Sequence, residues 1–220
     1  MADSSTYRTR LRRRDLQQHI THVVHCGCGY QSSVYLVEAD GRTLAVKDFL
    51  NTPFFFRTFV APYLVRRESK ALAHLNGTPG VPSYYGRIDA RAFAMEYIAG
   101  TPIADFGMGQ IAPEVFPRIQ EVIDGIHARG VSHGDLKRRS NLILTPDHQI
   151  YLVDFAAAVI GQRPLRPLLN WLQKQMELVD NKSLPRLKKF VAPELLTEAD
   201  LYKLNNPTGL EKLARKLLNR

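Results

Sequence analysis

Two aspartates in the second half of the chain have the setting that points most directly to chemistry. Asp135 lies in the segment 133–137 (HGDLK), which follows a long predicted helix and leads into a predicted strand. Asp154 comes 19 residues later, at the end of another predicted strand. Loops at strand ends can bring two carboxylates onto one metal–phosphate complex, where one orients an acceptor hydroxyl and the other holds Mg²⁺. A turn aspartate and a capping aspartate would explain either residue, but not the ordered pair.

A lysine in an apolar strand is the second feature. Lys47 ends the sequence LAVK, in a strand that we expect to be buried on both faces. A buried ammonium group needs an anionic partner, and Glu68 stands 21 residues later on the following predicted helix. At about 4 Å and an effective dielectric of about 20, such a pair gains roughly 4 kcal/mol before its desolvation is counted. A strand-edge lysine that reaches solvent is the alternative.

Small residues follow the first predicted strand. Gly27 and Gly29 lie inside a predicted hairpin, where the absence of a Cβ lets backbone N–H groups approach a phosphate chain. A glycine-rich turn without a ligand is the alternative, and it is the commoner origin of this pattern taken alone. Cys26 and Cys28 in the same loop are one residue apart, a spacing unsuited to a disulfide, so we expect free thiols.

Hydrophobic periodicity predicts the elements that must position these residues. Alternating residues, the turn pair Asp40-Gly41 and the stop signal Asn76-Gly77 predict a five-stranded antiparallel sheet with one helix before residue 99. The remainder is predicted to be mainly helical. The predicted strands span 19–25, 33–39, 42–49, 81–88, 91–98, 141–144 and 149–153, and the two longest helices span 63–75 and 113–129.

The fold class is therefore α+β, with three predicted parts. Residues 1–18 form a basic N-terminal tail, 19–98 a first lobe with the glycine loop, and 99–220 a compact helical lobe. A connector lies near residues 97–102. The tail contains five arginines within seven residues, so we expect a solvated arm.

Composition and charge limit the classes of protein to which the chain can belong. The 220 residues are 45% hydrophobic and 23% charged, which is typical of a folded protein and excludes a disordered or fibrous chain. The apolar runs are too short for a membrane span and the first residues do not resemble a secretory signal, so we expect a cytoplasmic protein. The formal charge of +9 predicts an acidic partner, and peripheral contact with the inner face of an anionic membrane is part of this expectation.

Taken together, the ordered motifs resemble the protein-kinase superfamily over about residues 20–160. The loop around Asp135 is similar to that of RIO-like kinases, and the size and basic character are similar to bacterial lipopolysaccharide-core kinases. With 66 residues after Asp154, the resemblance implies a minimal, atypical bacterial-type member. It implies a protein-kinase-like two-lobe fold with a small antiparallel-sheet lobe carrying one main helix, a truncated helical lobe, and the nucleotide between them.

The resemblance also implies a role for each matching residue. Lys47 would hold the α- and β-phosphates and pair with Glu68, while Asp135 would accept the proton of the acceptor hydroxyl. Met95 would stand behind the adenine, whose edge the backbone of Glu96 and Ile98 would hydrogen-bond. The implied catalytic residues are Asp135, Lys47, Glu68 and Lys137, the implied nucleotide-binding residues are Gly27, Gly29, Ser32, Val34, Ala45, Lys47, Met95, Glu96 and Ile98, and the implied metal ligands are Asn141 and Asp154.

Besides Ser32, which stands where a third glycine of the loop is expected, three positions depart from the family pattern. Asn141 lies six residues after Asp135 instead of five, so Ser140 takes the usual place of the metal ligand unless a one-residue bulge delivers Asn141. Ala156 replaces a flexible glycine, which predicts a less mobile segment after the second acid. Gly134 replaces a common arginine, so we expect no basic pocket for an activating phosphate.

The expected function is transfer of the γ-phosphate of ATP, with Mg²⁺ or Mn²⁺, to a hydroxyl acceptor, most directly a serine or threonine of a protein, the chain itself included. Transfer to a sugar of the lipopolysaccharide core or of another membrane-linked glycan is the alternative. A pseudokinase or nucleotide-gated scaffold is a second alternative, against which the retained lysine and acids argue. A nucleic-acid partner is not expected.

Overall fold

Alternating residues build a five-stranded antiparallel sheet in the first half of the chain. The computed structural model describes residues 7–161, 166–209, 211–212 and 216. Asp40 and Gly41 both have positive φ, 52° and 69°, as the type I′ turn of a tight hairpin requires. The predicted sheet is confirmed. Its strands are β1 (Ile20–His25), β2 (Ser33–Ala39), β3 (Arg42–Asp48), β4 (Tyr84–Arg87) and β5 (Ala92–Glu96), in the order β1-β2-β3-β5-β4.

The arginine-rich segment before the sheet is packed rather than solvated. Leu11 is buried, and so is Leu16, which opens the one-turn helix α1 (Leu16–His19). Both belong to a hydrophobic cluster that includes Val37 of β2 and Leu44 of β3. The expectation of a solvated arm is therefore wrong for residues 7–18, because their few apolar side chains complete the core on the sheet.

Arg13 fastens the same segment to the sheet through charge. Its guanidinium donates to both carboxylate oxygens of Asp89, at 2.7 and 3.0 Å, and also to both oxygens of Asp48. The Asp48 side chain is only 4% exposed. A carboxylate this deeply buried needs a cation, and Arg13 is that cation.

The helix after β3 begins earlier than the sequence predicts. A π-helical turn at Phe56–Val60 leads directly into α2 (Ala61–His74). Pro62 is the second residue of α2 and has no N–H, so it interrupts the helical hydrogen bonds at the point where the π-helical turn passes into the α-helix. The helix ends before Asn76-Gly77, the stop signal in the sequence, and Gly77 has a φ of 78°.

The chain divides into two compact units. The first comprises Met1–Gly77 and Val81–Ala99, and the second comprises Thr78–Gly80 and Gly100–Arg220. The elements of the second unit are β6 (Thr101–Pro102), α3 (Val115–Ala128), β7 (Val131–Ser132), β8 (Leu142–Leu144), β9 (Ile150–Leu152), β10 (Val159–Ile160), α4 (Pro167–Asp180), α5 (Ser183–Val191) and α6 (Glu198–Asn205).

The second unit is built around α3. This helix buries Val115, Ile119, Ile123 and Ile126, at the helical spacing seen in the sequence. β6, β8 and β9 form a small antiparallel sheet, and β7 pairs with β10. The predicted α+β fold class, with an antiparallel-sheet unit and a largely helical unit, is confirmed. Within the described residues, no helix is long and apolar enough to cross a membrane.

Candidate active site

Lys47 is buried on the central strand of the sheet and is bonded to Glu68. β3 lies between β2 and β5, and Lys47 aligns with Val34 on one side and Phe93 on the other. Its Nζ donates to both carboxylate oxygens of Glu68 on α2, at 3.0 and 2.9 Å. The lysine is 7% exposed and the glutamate 1%. The predicted ion pair forms, and it fixes one ammonium group at a defined place beside the sheet.

The loop between β1 and β2 requires both of its glycines. A Cβ on Gly27 would lie 2.3 Å from the carbonyl oxygen of Gln31, and Gly29 has a φ of 61°. The Gly27 N–H donates to the Ser33 hydroxyl at 3.1 Å, which fastens one end of the loop, and Ser32 is half-buried beside it. Both cysteines of the loop are free, as predicted, and both are exposed. Backbone geometry explains the glycines, and their contact with phosphates stays a prediction.

β5 carries the residues predicted to contact an adenine. Met95 is buried and aligns with Ala45 of β3. Glu96 is held by Ser83, since its carboxylate accepts the Ser83 N–H at 3.0 Å and its own N–H donates to the Ser83 carbonyl at 2.9 Å. Ile98 follows in half-buried irregular backbone. Because the Glu96 N–H is already bonded, its carbonyl is the group that could serve the predicted adenine contact.

In the second unit, one carboxylate holds the backbone just before Asp135. Asp180, the last residue of α4, accepts the N–H of His133 at 2.6 Å and that of Gly134 at 2.9 Å. His127 of α3 adds a third contact, with 3.3 Å between its Nε2 and a carboxylate oxygen of Asp180. Asp180 is 1% exposed. Hydrogen bonds to a buried charge are strong, so this carboxylate fixes the conformation of the loop.

His133 links the loop to the end of β9. Its Nε2 lies 3.0 Å from the carbonyl oxygen of Val153, and its ring centre lies 4.7 Å from that of Phe155. Burial lowers the pKa of His133 and outweighs the opposite effect of nearby carboxylates, of which Asp180 is the largest. The neutral ring therefore donates from Nε2 to Val153, which leaves Nδ1 as an acceptor facing the Asp135 N–H at 3.4 Å.

A 3₁₀ turn takes up the extra residue between Asp135 and Asn141. The turn spans Arg139–Asn141 and buries Asn141, whereas Ser140 is exposed. The Asn141 Nδ2 donates to the backbone carbonyl of Asp135 at 3.0 Å. The structure therefore brings Asn141, and not Ser140, to the Asp135 loop. The Asp135 carboxylate is 20% exposed and contacts the exposed Arg138 at 3.1 Å. Lys137 is also exposed and forms no ion pair with a carboxylate among the described residues.

Asp154 is tied to the same loop through its neighbour. The Val153 N–H donates to the Asn141 carbonyl at 2.9 Å. Asp154 itself has a φ of 65°, and a 3₁₀ turn over Phe155–Ala157 follows it. Aspartate tolerates this left-handed region better than most residues, and Asp40 and His148 adopt it as well. Asp135, Asn141 and Asp154 thus belong to one hydrogen-bonded assembly within the second unit.

Gly134 leaves no room for a side chain. It has a φ of 82°, and a Cβ there would lie 2.8 Å from the Ala157 carbonyl oxygen and 2.8 Å from the Met176 methyl group. An arginine at this position would require the backbone to move. The departure from the family pattern is therefore a packing requirement of this chain.

Asn141 and Asp154 together offer the kind of oxygen donors that Mg²⁺ prefers. The Nδ2 of Asn141 is used toward Asp135, so its Oδ1 is the atom suited to a cation. Across the described ranges, no group of three His, Cys, Asp or Glu side chains forms a metal cluster. Phosphate oxygens or water would have to complete the coordination, as is usual for Mg²⁺.

Asp180 and Ser33 are the positioning residues that sequence reasoning missed. Asp180 is 47 residues from His133 along the chain, and no local motif marks it. Ser33 reads as the first residue of a strand, although its hydroxyl holds the glycine loop. Only tertiary contacts reveal either role.

Comparison with known proteins gives related sequences but no family match. No protein-family model matches the chain. Serine/threonine-protein kinase PknH of Mycobacterium bovis is 31% identical over 141 residues, which is 60% of this chain and 23% of that protein. Serine/threonine-protein kinase PknD of Mycobacterium tuberculosis is 27% identical over 186 residues, 81% of this chain and 27% of that protein.

An archaeal protein is similar over a comparable stretch. The probable bifunctional tRNA threonylcarbamoyladenosine biosynthesis protein of Methanosarcina acetivorans is 30% identical over 138 residues, 59% of this chain and 23% of that protein. The chain thus spans about a quarter of the length of the curated relatives it matches. These similarities support a kinase-like superfamily and, at the coarse level, a kinase-like phosphotransferase.

Proposed function

We propose that the chain is an ATP- and Mg²⁺-dependent kinase that transfers the γ-phosphate to serine or threonine hydroxyls of a protein, itself included. The observation that carries the proposal is the loop held by Asp180, in which Asn141 bonds the backbone of Asp135 and the Asp135 carboxylate stays partly exposed. The similarity to two serine/threonine-protein kinases supports a protein acceptor.

In this proposal Asp135 takes the proton of the acceptor hydroxyl. As that proton leaves, the hydroxyl oxygen bonds to the γ-phosphorus and the bond from phosphorus to the ADP oxygen breaks. Lys47, fixed by Glu68, and the exposed Lys137 neutralise negative charge on the phosphates. The glycine loop would hold the phosphate chain, while Arg138 beside Asp135 is exposed and can give way to an acceptor.

Asn141 and Asp154 would hold Mg²⁺, which when bound neutralises phosphate charge. The neutral His133 keeps the Asp135 backbone and the end of β9 in register without adding a charge beside the two acids. Asp180 positions the whole loop through His133 and Gly134.

Labelled ATP tests the proposal directly. The chain is incubated with γ-labelled ATP, Mg²⁺ and a mixed cell extract, and the label is partitioned between protein and lipid–glycan fractions, with Asp135→Asn as the matched inactive control. The proposal expects label in serine and threonine of protein that is lost in the variant. No transfer by the wild type into either fraction would refute the kinase proposal and favour a nucleotide-gated scaffold.

An exposed aromatic surface favours a second candidate, transfer to a sugar of a membrane-linked glycan. Phe54, Phe55, Phe59 and Tyr63 are each more than 60% exposed, and the Arg57 guanidinium lies 5.5 Å from the Phe54 ring centre. Exposed apolar patches mark interaction surfaces, and aromatic rings beside cations suit the headgroup level of an anionic membrane.

Vesicle sedimentation separates this candidate from the first. The full chain is mixed with phosphatidylcholine vesicles with and without phosphatidylglycerol, at low and high salt. Salt-sensitive binding that the double variant Phe55→Ser/Phe59→Ser loses, and that Tyr202→Ser retains, would support membrane contact, since Tyr202 is 70% exposed in the second unit. Absence of binding to anionic vesicles would remove the membrane contact and its glycan acceptor.

A further inference from the structure

A small cavity lies beside the far end of the Asp135 loop, wholly within the second unit. Its volume is about 90 Å³, and it is bordered by residues 136–142 and by α5. Leu136, Leu142 and Phe190 supply apolar lining. Three cations also line it, Lys137, Arg139 and Arg186. The chemistry proposed above uses only one of these cations, Lys137.

Arg139 is held at the cavity by an aromatic ring. Its guanidinium carbon lies 4.8 Å from the centre of the Phe190 ring, within the range of a cation–π contact. The stacked arginine loses little freedom when it binds an anion, because its plane is already fixed. Phe190 is 61% exposed, so the contact lies at the mouth of the cavity and is open to a partner.

The charge around the cavity is positive. Arg186 donates to Glu211 at 2.6 Å, and Glu211 also accepts from Lys182 at 2.5 Å. Among the residues that the structure describes, no carboxylate is bonded to Lys137 or Arg139. Glu211 is therefore shared by two cations, and within the described part of the chain two further cations at the cavity have no carboxylate partner.

We propose that this cavity binds an acidic side chain of the acceptor protein, a carboxylate or a phosphate close in sequence to the serine or threonine that is phosphorylated. The inference rests on the proposed function, because it names the substrate class of the same site. Arg139 lies on the loop that carries Asp135, four residues along the chain. An anion bound at Arg139 and a hydroxyl bound at Asp135 can therefore belong to one short segment of polypeptide.

The shape of the cavity favours a peptide over a nucleic-acid backbone. A volume of about 90 Å³ suits a single side chain, whose methylene groups would contact Leu136, Leu142 and Phe190 while its anionic end faces the cations. Nucleic-acid strands present a phosphate at every nucleotide and are bound along extended basic tracks with stacking surfaces. A single small cavity offers neither.

Peptide kinetics test the inference. One set of serine peptides, otherwise uncharged, carries a single glutamate at each position within four residues of the serine, and a second set carries phosphoserine there. At one position at least, wild-type kcat/KM should exceed that of the uncharged parent about tenfold, since a bond to a charged group is worth at least this factor. A gain with glutamate assigns a carboxylate, and a gain with phosphoserine alone assigns a phosphate.

Two variants locate the effect. Arg139→Gln should reduce the ratio of kcat/KM for the acidic peptide over the parent from about ten to about one. Lys203→Gln removes one positive charge from an exposed position on α6 outside the cavity and should leave the ratio unchanged. A wild-type ratio near one at every position, or equal ratios in wild type and Arg139→Gln, overturns the inference.

A binding assay distinguishes the case in which the cavity binds no acidic peptide from the case in which the chain does not phosphorylate proteins. The anisotropy of a labelled acidic peptide, measured without ATP, should give an affinity that Arg139→Gln lowers about tenfold and Lys203→Gln does not. If no peptide is phosphorylated but this difference persists, the protein-kinase proposal fails and the cavity stands. If a single-stranded oligonucleotide of equal charge binds through Arg139 and the peptide does not, the peptide inference is overturned in favour of a phosphate backbone.

Discussion

Asp180 is the residue on which the conformation of the Asp135 loop depends. Its buried carboxylate accepts two backbone N–H groups, and Asp180→Asn would turn an amide N–H toward one of these donors. We predict a loss of about 2–4 kcal/mol in the free energy of unfolding and a loss of phosphate transfer. Urea unfolding of the purified variant measures the change in the free energy of unfolding. Asp124→Asn, on the exposed face of α3, should change stability by less than about 0.5 kcal/mol, and equal losses in the two variants would contradict the account.

The buried imidazole of His133 predicts a pH dependence with a definite sign. Burial lowers the pKa of His133 in the folded state below its usual value of 6.5. Below about pH 6.5 the unfolded chain therefore binds a proton that the folded chain does not, so the free energy of unfolding falls as the pH falls. The slope from this one group is at most about 1.4 kcal/mol per pH unit.

Urea unfolding at pH 7.5, 6.5 and 5.5 checks this prediction. The comparison is with His133→Gln, whose amide can still donate to the Val153 carbonyl but does not titrate. Groups that titrate equally in both proteins cancel in the difference. The wild type should lose more stability than the variant between pH 6.5 and 5.5, and parallel curves would show that His133 does not carry the effect.

At the scale of elements, the arginine-rich segment is a structural part of the first unit. Arg13→Ala would leave the buried Asp48 carboxylate without its cation and would leave Asp89 with only its backbone hydrogen bonds from Arg91 and Ala92. We predict a cost of about 2–4 kcal/mol in unfolding free energy. Arg14→Ala is the matched control. The Arg14 side chain is 74% exposed, so its removal should cost less than about 0.5 kcal/mol. A similar, small effect of both variants in urea unfolding would argue for a solvated arm.

The turn at Gly134 gives an element-scale test of packing. Gly134→Ala would place its methyl group 2.8 Å from the Ala157 carbonyl, whereas Gly109→Ala has nothing within 4 Å. Both glycines have similar positive φ, 82° and 72°, so both variants carry the same backbone strain of about 1–2 kcal/mol. We predict that Gly134→Ala costs about 1–3 kcal/mol more than Gly109→Ala in thermal or urea unfolding. Equal costs would mean that the loop relaxes freely.

Local signals predicted most of the elements, and long-range contacts explain what they missed. The strands and α3 follow from periodicity, and the turn at Asp40-Gly41 follows from the left-handed backbone that Asp-Gly adopts readily. The early start of the helical segment before α2 was missed, because Pro62 reads as a boundary. The packing of residues 7–18 was missed, because Arg13 finds its partners in β3 and in the β4–β5 turn, far along the sequence.

Across the whole molecule, the order of motifs indicated a kinase-like phosphotransferase, and the structure shows which contacts hold the matching residues. The sequence predicted the pair Lys47–Glu68 in the first unit and placed Asp135 and Asp154 in the second, since each belongs to a recognisable motif. It left Asn141 and Ser140 as alternatives, because only the path of a 3₁₀ turn decides between them. The role of Asp180 could not be predicted, since the sequence of a helix end is the same whether its aspartate faces solvent or accepts hydrogen bonds from a distant loop.

The role of Asp135 is tested by measuring nucleotide affinity and phosphate transfer in the same samples of wild type and Asp135→Asn. Calorimetry with ATP and Mg²⁺ gives the affinity, and labelled transfer to an acceptor protein or to the chain itself gives the rate. We predict an affinity within about twofold of wild type and a rate about 10² to 10⁴ lower, because the variant keeps Lys47, which we propose binds the phosphates, but cannot take the hydroxyl proton. Transfer by Asp135→Asn at the wild-type rate would contradict the assignment of Asp135 and, with it, the proposed kinase mechanism.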